Sequence, residues 1–297
     1  MENMSYDEFK KALLNQLNKK LGETIQAEII PINKNNGGTK EAVRIGDGKT
    51  GVKPLIYINS LYEQYCIGTA LSACVGFVIG LYHAMPVFHT GQYLRTWDEV
   101  KPKIGIRIIN WAWNQAELKE IPYKRYLDLA VYCKIILAKN EDGIASIIVK
   151  RSMLQYWGVT EEELWETAKN NFLKEEFLIR HIDEEIGLPK QYLDKFANLS
   201  DQKNEIYVLT NEYRNRGAAG MLRIDLLWAF ADHVQSDLYI LPSSLNEVIL
   251  LPDRGNKAPE FLRALVKRNN RDYATEEELS ENIYYYQRTK NRIEVVL

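Results

Sequence analysis

The sequence predicts an α+β protein with mixed β-sheets and flanking helices, arranged in two lobes. Short apolar and β-branched runs of strand length occur in both halves of the chain, and segments with helical apolar spacing separate them. In the second half, a run at 206–209, a helical pattern at 222–234 and runs at 238–241 and 248–251 follow one another. They predict a C-terminal unit of strand, helix, strand and hairpin.

The N-terminal lobe is predicted to span residues 1–95 and to have α/β structure. Ser5 and Glu8 have the spacing of a capping box, so a helix should begin there and end at Gly22. Three strands and a buried helix are predicted to follow, at 24–33, 40–45, 54–59 and 69–85. The last segment is apolar, but it is shorter than the roughly 20 residues that a membrane span needs.

The C-terminal lobe is predicted to span residues 96–297. Its first part should contain helical turns, a strand, a short helix and a hairpin, at 97–103, 104–109, before Pro122 and at 126–149. Thr160 and Thr275 each begin the pentapeptide T-E-E-E-L, a capping box that is predicted to start a helix. The later elements are predicted as a charged helical region, a helix and two strands, at 177–196, 259–268, 283–287 and 292–296.

Composition argues against several classes of protein. The 38 Lys and Arg residues nearly balance the 40 Asp and Glu residues, so no global field attracts nucleic acid or an anionic membrane. The three cysteines have apolar neighbours and no C-x-x-C spacing, which is typical of reduced thiols. The first residues lack the basic and apolar regions of a secretory signal. We therefore expect a cytoplasmic protein without disulfides and without a membrane partner.

Motifs for cofactors and for common catalytic sites do not emerge from the sequence. Residues 46–50 resemble the end of a phosphate-binding loop, but Val43 stands where its first glycine belongs, and a strand is predicted to follow. The four histidines have no zinc-ligand spacing, and the G-x-S-x-G elbow of many hydrolases is missing. No cofactor and no metal site are predicted.

Polar residues follow the two predicted strands at 206–209 and 238–241. If these strands are parallel neighbours joined by a crossover helix, their C-terminal ends share the edge where open sheets bind ligands. The candidate polar cleft at this edge consists of Thr210, Asn211, Tyr213, Arg214, Ser243, Ser244, Asn246 and Glu247. Asn211 and Ser244 would be its hydrogen-bonding groups and Glu247 its acid. The alternative is that these side chains cap backbone amides and close turns.

Two further sites are predicted as alternatives. Ser243 or Ser244 could act with Glu247 in a hydrolase-type enzyme. A candidate basic patch in the segment 254–271 could follow a phosphate backbone, and it consists of Arg254, Lys257, Arg263, Lys267, Arg268 and Arg271. The other interpretation of this patch is a solvated helix face that acids elsewhere in the fold balance.

The chain resembles a bacterial family catalogued as domain of unknown function 5688, and more distantly the one numbered 1444. The likeness is carried by Y-V-L-T-N at 207–211, G-A-A at 217–219, L-Y-I-L-P-S-S at 238–244 and E-V-I at 247–249. It extends over the N-terminal helix and W-G-V-T-E-E-E-L at 157–164, and so over nearly the whole chain. Similar members carry histidine at the position of Asn246.

This resemblance implies a single architecture and no established activity. Together with the composition, it leads us to expect a cytoplasmic bacterial accessory protein that binds an unidentified protein partner. Nucleic-acid binding and hydrolysis remain the alternatives.

Overall fold

A computed structural model describes residues 3–46, 55–84, 96–140, 143–182, 205–271 and 275–296. The chain divides into two compact units, Met1–Arg95 and Thr96–Leu297. Helices and antiparallel sheets occur in both units, which confirms the predicted α+β class.

In its described residues, the first unit packs three helices and a three-stranded antiparallel sheet around one apolar core. The helices are α1 (Tyr6–Leu21), α2 (Ile58–Cys66) and α3 (Leu71–Ala84). The strands are β1 (Gln26–Asn33), β2 (Thr39–Gly46) and β3 (Ile56–Tyr57), in the order β1-β2-β3. The capping box at Ser5 is confirmed. The Ser5 hydroxyl accepts a hydrogen bond from Glu8 N, and the Ser5 backbone N–H donates one to Glu8 Oε2. The fully buried side chains of Phe9, Leu13 and Leu17 then fix α1 on the core.

Two predictions for this unit are wrong in part. The third strand, predicted at 54–59, ends at Tyr57, and the chain then turns directly into α2 because Ile58 and Leu61 supply its buried face. Residues 47–54 lie outside the described residues. The helix predicted as buried at 69–85 is α3, but it buries only one face, through Cys74, Val75 and Val78.

The second unit begins with a four-stranded antiparallel sheet and the helices around it. The strands are β4 (Ile104–Asn110), β5 (Tyr123–Tyr126), β6 (Leu129–Asn140) and β7 (Gly143–Ile148). Both β5 and β7 pair with β6 on the side opposite β4, and the predicted hairpin is confirmed where Asn140 pairs with Gly143. The helices are α4 (Trp97–Val100), α5 (Gln115–Leu118), α6 (Arg151–Trp157) and α7 (Glu161–Phe172). The capping box predicted at Thr160 starts α7.

A six-stranded antiparallel sheet forms the rest of the second unit. Its strands are β8 (Phe177–His181), β9 (Tyr207–Asn211), β10 (Leu238–Pro242), β11 (Val248–Pro252), β12 (Ile283–Gln287) and β13 (Arg292–Val296), in the order β13-β12-β10-β11-β9-β8. Among the described elements, two helices pack on it, α8 (Ile224–His233) and α9 (Pro259–Arg271). Leu262 and Val266 of α9 join the apolar core on one face of the sheet, and Phe230 of α8 meets Tyr207 edge to face, with ring centroids 4.8 Å apart.

Three predictions for this sheet need correction. The segment at 177–196 was predicted as helical, but its first residues form β8, which pairs with β9; residues 183–204 lie outside the described residues. The second T-E-E-E-L starts only a 3-10 turn, Thr275–Glu277. The strands β9 and β10 run in the same direction, as predicted, but they are not neighbours, because β11 lies between them and pairs antiparallel with both.

The cysteines offer a direct check on the core. Cys66 is exposed, whereas Cys74 and Cys133 are buried, and burial raises the pKa of Cys133 to about 12. We expect a thiol reagent at pH 8 to label one cysteine in the native protein and all three in denaturant, because buried thiols are neither reachable nor ionised. Rapid native labelling of Cys133 would contradict the packing of β6.

Candidate functional site

The loops that follow β9 and β10 meet at one edge of the six-stranded sheet. Thr210 Oγ1 donates a hydrogen bond of 2.7 Å to Asn246 O, and Asn246 Oδ1 accepts one of 3.0 Å from Arg216 N. Ala218 N also donates to Leu245 O at 3.3 Å. The two loops therefore contact each other across the end of β11, although β9 and β10 are not paired.

Gly217 is the point of closest approach between these loops. A Cβ atom at this position would lie 2.4 Å from Thr210 Oγ1, 2.5 Å from Asn211 N and 2.7 Å from Asn246 O. Only a residue without a side chain allows the backbone to pass there.

Most side chains of the candidate polar cleft are buried and hold the loops in shape. Asn211 donates from Nδ2 to Asn215 O and accepts from Asn215 N at Oδ1, and Ser244 Oγ accepts from Asn246 N. These hydrogen bonds close the turns of the two loops, which is the alternative role stated for these residues in the sequence analysis. Tyr213 and Arg214 lie in the first loop, where Arg214 N donates to Asn211 O.

A second group of buried polar side chains lies behind the turn between β10 and β11. Ser243 Oγ donates to Glu247 Oε1 at 3.3 Å, and Asn269 Nδ2 donates to Ser243 O at 3.3 Å. Ser243 is 3% exposed, and Glu247 and Asn269 are each 6% exposed. A hydrolase that uses this serine would need its substrate to reach a site from which solvent is nearly excluded, and that function stays a prediction.

Asp128, in the turn between β5 and β6, connects the two sheets of the second unit. Its carboxylate accepts hydrogen bonds from Ser280 Oγ at 2.6 Å, Asn282 Nδ2 at 3.0 Å and the Tyr284 hydroxyl at 2.8 Å. Burial raises the pKa of Tyr284 well above its ordinary value, so this hydroxyl stays protonated and donates. Asp128 is therefore a structural acid that joins the two sheets.

The candidate basic patch is partly neutralised by its neighbours. Arg254 makes two bonds of 2.6 Å to the carboxylate of Glu205, and this contact lowers the pKa of Glu205. Lys267 forms an ion pair with Glu281, with 3.4 Å between its Nζ atom and a carboxylate oxygen. Arg263 donates a hydrogen bond of 3.1 Å to Asn282 Oδ1. The remaining cations, Lys257, Arg268 and Arg271, are half-buried or exposed. The two ion pairs, Arg254–Glu205 and Lys267–Glu281, reduce the charge that the segment offers to a phosphate backbone.

An apolar surface on α3 is the other candidate site. One face of this helix is exposed, and it is named the α3 surface. It consists of Ala73, Gly76, Phe77, Gly80 and Ala84. The side chain of Phe77 is 56% exposed, and α3 contains no Asp, Glu, Lys or Arg. A Cβ atom at Gly76 or Gly80 would meet nothing within 4 Å.

Comparison with protein families assigns the chain. A model described as "Family of unknown function (DUF5688)" matches residues 6–288, which is nearly the whole sequence. The chain belongs to this family. The likeness of this DUF5688 protein to the family numbered 1444 stays a prediction. No curated protein and no solved structure matches it.

The described part of this DUF5688 chain contains neither a metal-binding cluster nor a membrane-spanning helix. Within those ranges, no three His, Cys, Asp or Glu side chains come together in a way that could hold a metal ion. None of the described helices is both long enough and apolar enough to cross a membrane.

Sequence reasoning missed two features of this DUF5688 protein. Asn269 reaches the cleft residue Ser243 from α9, and its place on the buried stripe of that helix with Leu262 and Val266 was the available signal. The α3 surface was missed because an apolar segment of helix length predicts burial on all sides. The paired glycines were the signal there, since glycine weakens a helix.

Proposed function

We propose that the protein is a cytoplasmic bacterial interaction protein that binds a protein partner through the α3 surface. The observation that carries this proposal is the exposure of an apolar helix face, with Phe77 at its centre. Soluble proteins seldom leave contiguous apolar surface open to water unless a partner covers it.

The two glycines support a close contact. Glycine in a helix interior destabilises the helix by about 1 kcal/mol relative to alanine. Packing inside the unit does not require Gly76 or Gly80, because a methyl group at either position would point into open space. Their small size is useful if another backbone approaches α3 closely.

The partner should present an apolar helix or groove. Because α3 carries no Asp, Glu, Lys or Arg, recognition depends on shape and apolar burial, with Phe77 as the anchor. Salt should therefore affect this binding little, in contrast to binding of a nucleic acid.

Replacing both Gly76 and Gly80 with alanine should separate stability from binding. We expect the double variant to gain about 1–2 kcal/mol in free energy of unfolding through helix propensity, while partner binding weakens. Gly80→Leu should weaken binding further, because its side chain occupies the space of the partner. Chemical denaturation and partner capture measure the two effects.

Capture should use a photo-reactive amino acid at position 77 in living cells. Crosslinks to another protein that disappear with Gly80→Leu support the proposal. Lys19, on the exposed part of α1, is the matched control position and should give no such product. Crosslinks only within the same chain, or the same products from both positions, would exclude this function for α3.

A further inference from the structure

Arg107 is a buried cation in the middle of β4. Every residue of this strand is buried, and the Arg107 side chain is only 2% exposed. Its Nη1 atom donates to Ile106 O at 2.6 Å and to Glu175 Oε1 at 3.2 Å. Within the described residues, the Nε and Nη2 atoms of Arg107 have no hydrogen-bond partner. Burying a guanidinium group costs free energy unless its donors are satisfied, so these two donors point to a further ligand.

Arg107 lines a cavity of about 230 Å³ together with residues of β6 and of the segment that ends α7. Gly105 and Glu175 line the same cavity, and both lie close to the guanidinium group. Glu175 accepts from Nη1, and a Cβ atom at Gly105 would lie 3.6 Å from Nη1. Glycine inside a strand often marks a place where a ligand approaches the backbone closely. The cavity is smaller than the roughly 300–1,000 Å³ of pockets for drug-sized molecules, so its ligand is small.

Positive charge predominates around this cavity. Of the described residues that line it, Lys103, Arg107 and Lys174 are cations and Glu175 is the one acid. Three positive charges and one negative charge leave an excess of two positive charges. A phosphate group carries a charge of about −1.5 to −2 at pH 7, so it matches this excess better than a singly charged carboxylate does.

Asn171 fixes the turn that carries Lys103. This residue lies in the last turn of α7, and its Nδ2 atom donates to Lys101 O at 2.7 Å and to Ile104 O at 2.9 Å. The two hydrogen bonds tie the 3-10 turn Lys101–Lys103 to α7. The backbone that carries Lys103 is therefore preorganised, which reduces the conformational freedom that is lost when a ligand binds.

We infer that this cavity is a binding site for a phosphate group, carried either by inorganic phosphate or by a small phosphomonoester. Arg107 would bind two phosphate oxygens through Nε and Nη2, because the planar fork of a guanidinium group matches the geometry of phosphate. Lys103 and Lys174 would add positive charge beside the other oxygens. This inference is independent of the α3 surface, which belongs to the other unit.

Isothermal titration calorimetry on the full chain is the first test. Inorganic phosphate, methyl phosphate and acetate are titrated at one ionic strength, set with sodium chloride, because salt screens such contacts. Saturable binding of inorganic phosphate, with acetate at least about tenfold weaker, supports the inference. Methyl phosphate that binds as tightly as inorganic phosphate would indicate a phosphomonoester as the ligand, and binding of inorganic phosphate alone would indicate the free ion.

Two lysine variants test the position of the site. Lys174→Gln should weaken phosphate binding about tenfold, because it removes a charged partner of the phosphate. Lys169→Gln is the matched control and should leave the affinity unchanged, since it removes the same charge from an exposed position of α7 outside the cavity lining.

A change at Arg107 tests the guanidinium fork. Arg107→Lys keeps the positive charge but removes the paired donors, so it should weaken phosphate binding by more than about tenfold. If this variant does not fold, Lys174→Glu replaces it and should abolish binding, because it puts a negative charge at an exposed position of the cavity wall.

Three outcomes would overturn the inference. Titrations of both phosphates without saturable binding would mean that the cavity holds no phosphate group. Acetate that binds as tightly as phosphate would show that the cavity does not select for the second negative charge. Equal losses of affinity in Lys174→Gln and Lys169→Gln would mean that phosphate responds to the charge of the whole surface and not to this cavity.

Discussion

Gly217→Ala should destabilise the second unit by about 3 kcal/mol, the upper end of the range for overpacking. The added methyl group would lie within 3 Å of three atoms, and two of them belong to the backbone of Asn211 and Asn246. Backbone atoms cannot move aside as the end of a flexible side chain can, so the two loops must separate. Urea denaturation, followed by circular dichroism, measures the change.

Gly76→Ala is the matched control for this substitution. It adds the same methyl group at a position with open space, and it should stabilise the protein slightly. A Gly217→Ala variant as stable as the parent protein would show that the loops after β9 and β10 do not approach each other as described.

Asp128→Ala should cost about 3–5 kcal/mol in free energy of unfolding. The substitution removes the acceptor of three hydrogen bonds and leaves the hydroxyls of Ser280 and Tyr284 without it, in residues that are 1% and 0% exposed. Each buried donor that loses its partner costs about 1–3 kcal/mol. Thermal and chemical unfolding of the variant provide the measurement.

A smaller deletion at the same node gives the control. Tyr284→Phe removes one donor but leaves the carboxylate its bonds to Ser280 and Asn282, so it should cost only about 1 kcal/mol. The double variant should lose less free energy of unfolding than the two single variants together, because both substitutions act on one network. Full additivity, or an Asp128→Ala variant with unchanged stability, would contradict the network.

Local signals in the sequence predicted those elements in which local and tertiary demands agree. The capping box at Thr160 starts a helix because Leu164 and Ala168 behind it are free to pack on the core. The identical pentapeptide at Thr275 fails, because the carbonyls of Glu277, Leu279 and Ser280 accept hydrogen bonds from distant parts of the unit. A helix would have needed those carbonyls for its own backbone.

The candidate site was predictable only in part, for a related reason. Apolar runs fix the direction of β9 and β10 once a helix connects them, and this shared direction brings Thr210 and Asn246 into contact. The apolar sequences of these strands do not indicate that β11 lies between β9 and β10, because an apolar strand can pair with a neighbour on either side. The approach of Asn269 to Ser243 depends on the placement of α9, which no local pattern encodes.

The contact between Asp128 and Ser280 spans 152 positions of the sequence. During synthesis, a ribosome adds about 5–20 residues per second, so the first sheet leaves the exit tunnel many seconds before Ser280 does. From the emergence of Pro242 until that of Ile283, β10 lacks its neighbour β12, and its backbone edge is open to other chains. In growing chains of this length the unpaired edge of β10 is therefore a site where neighbouring nascent copies can pair with one another.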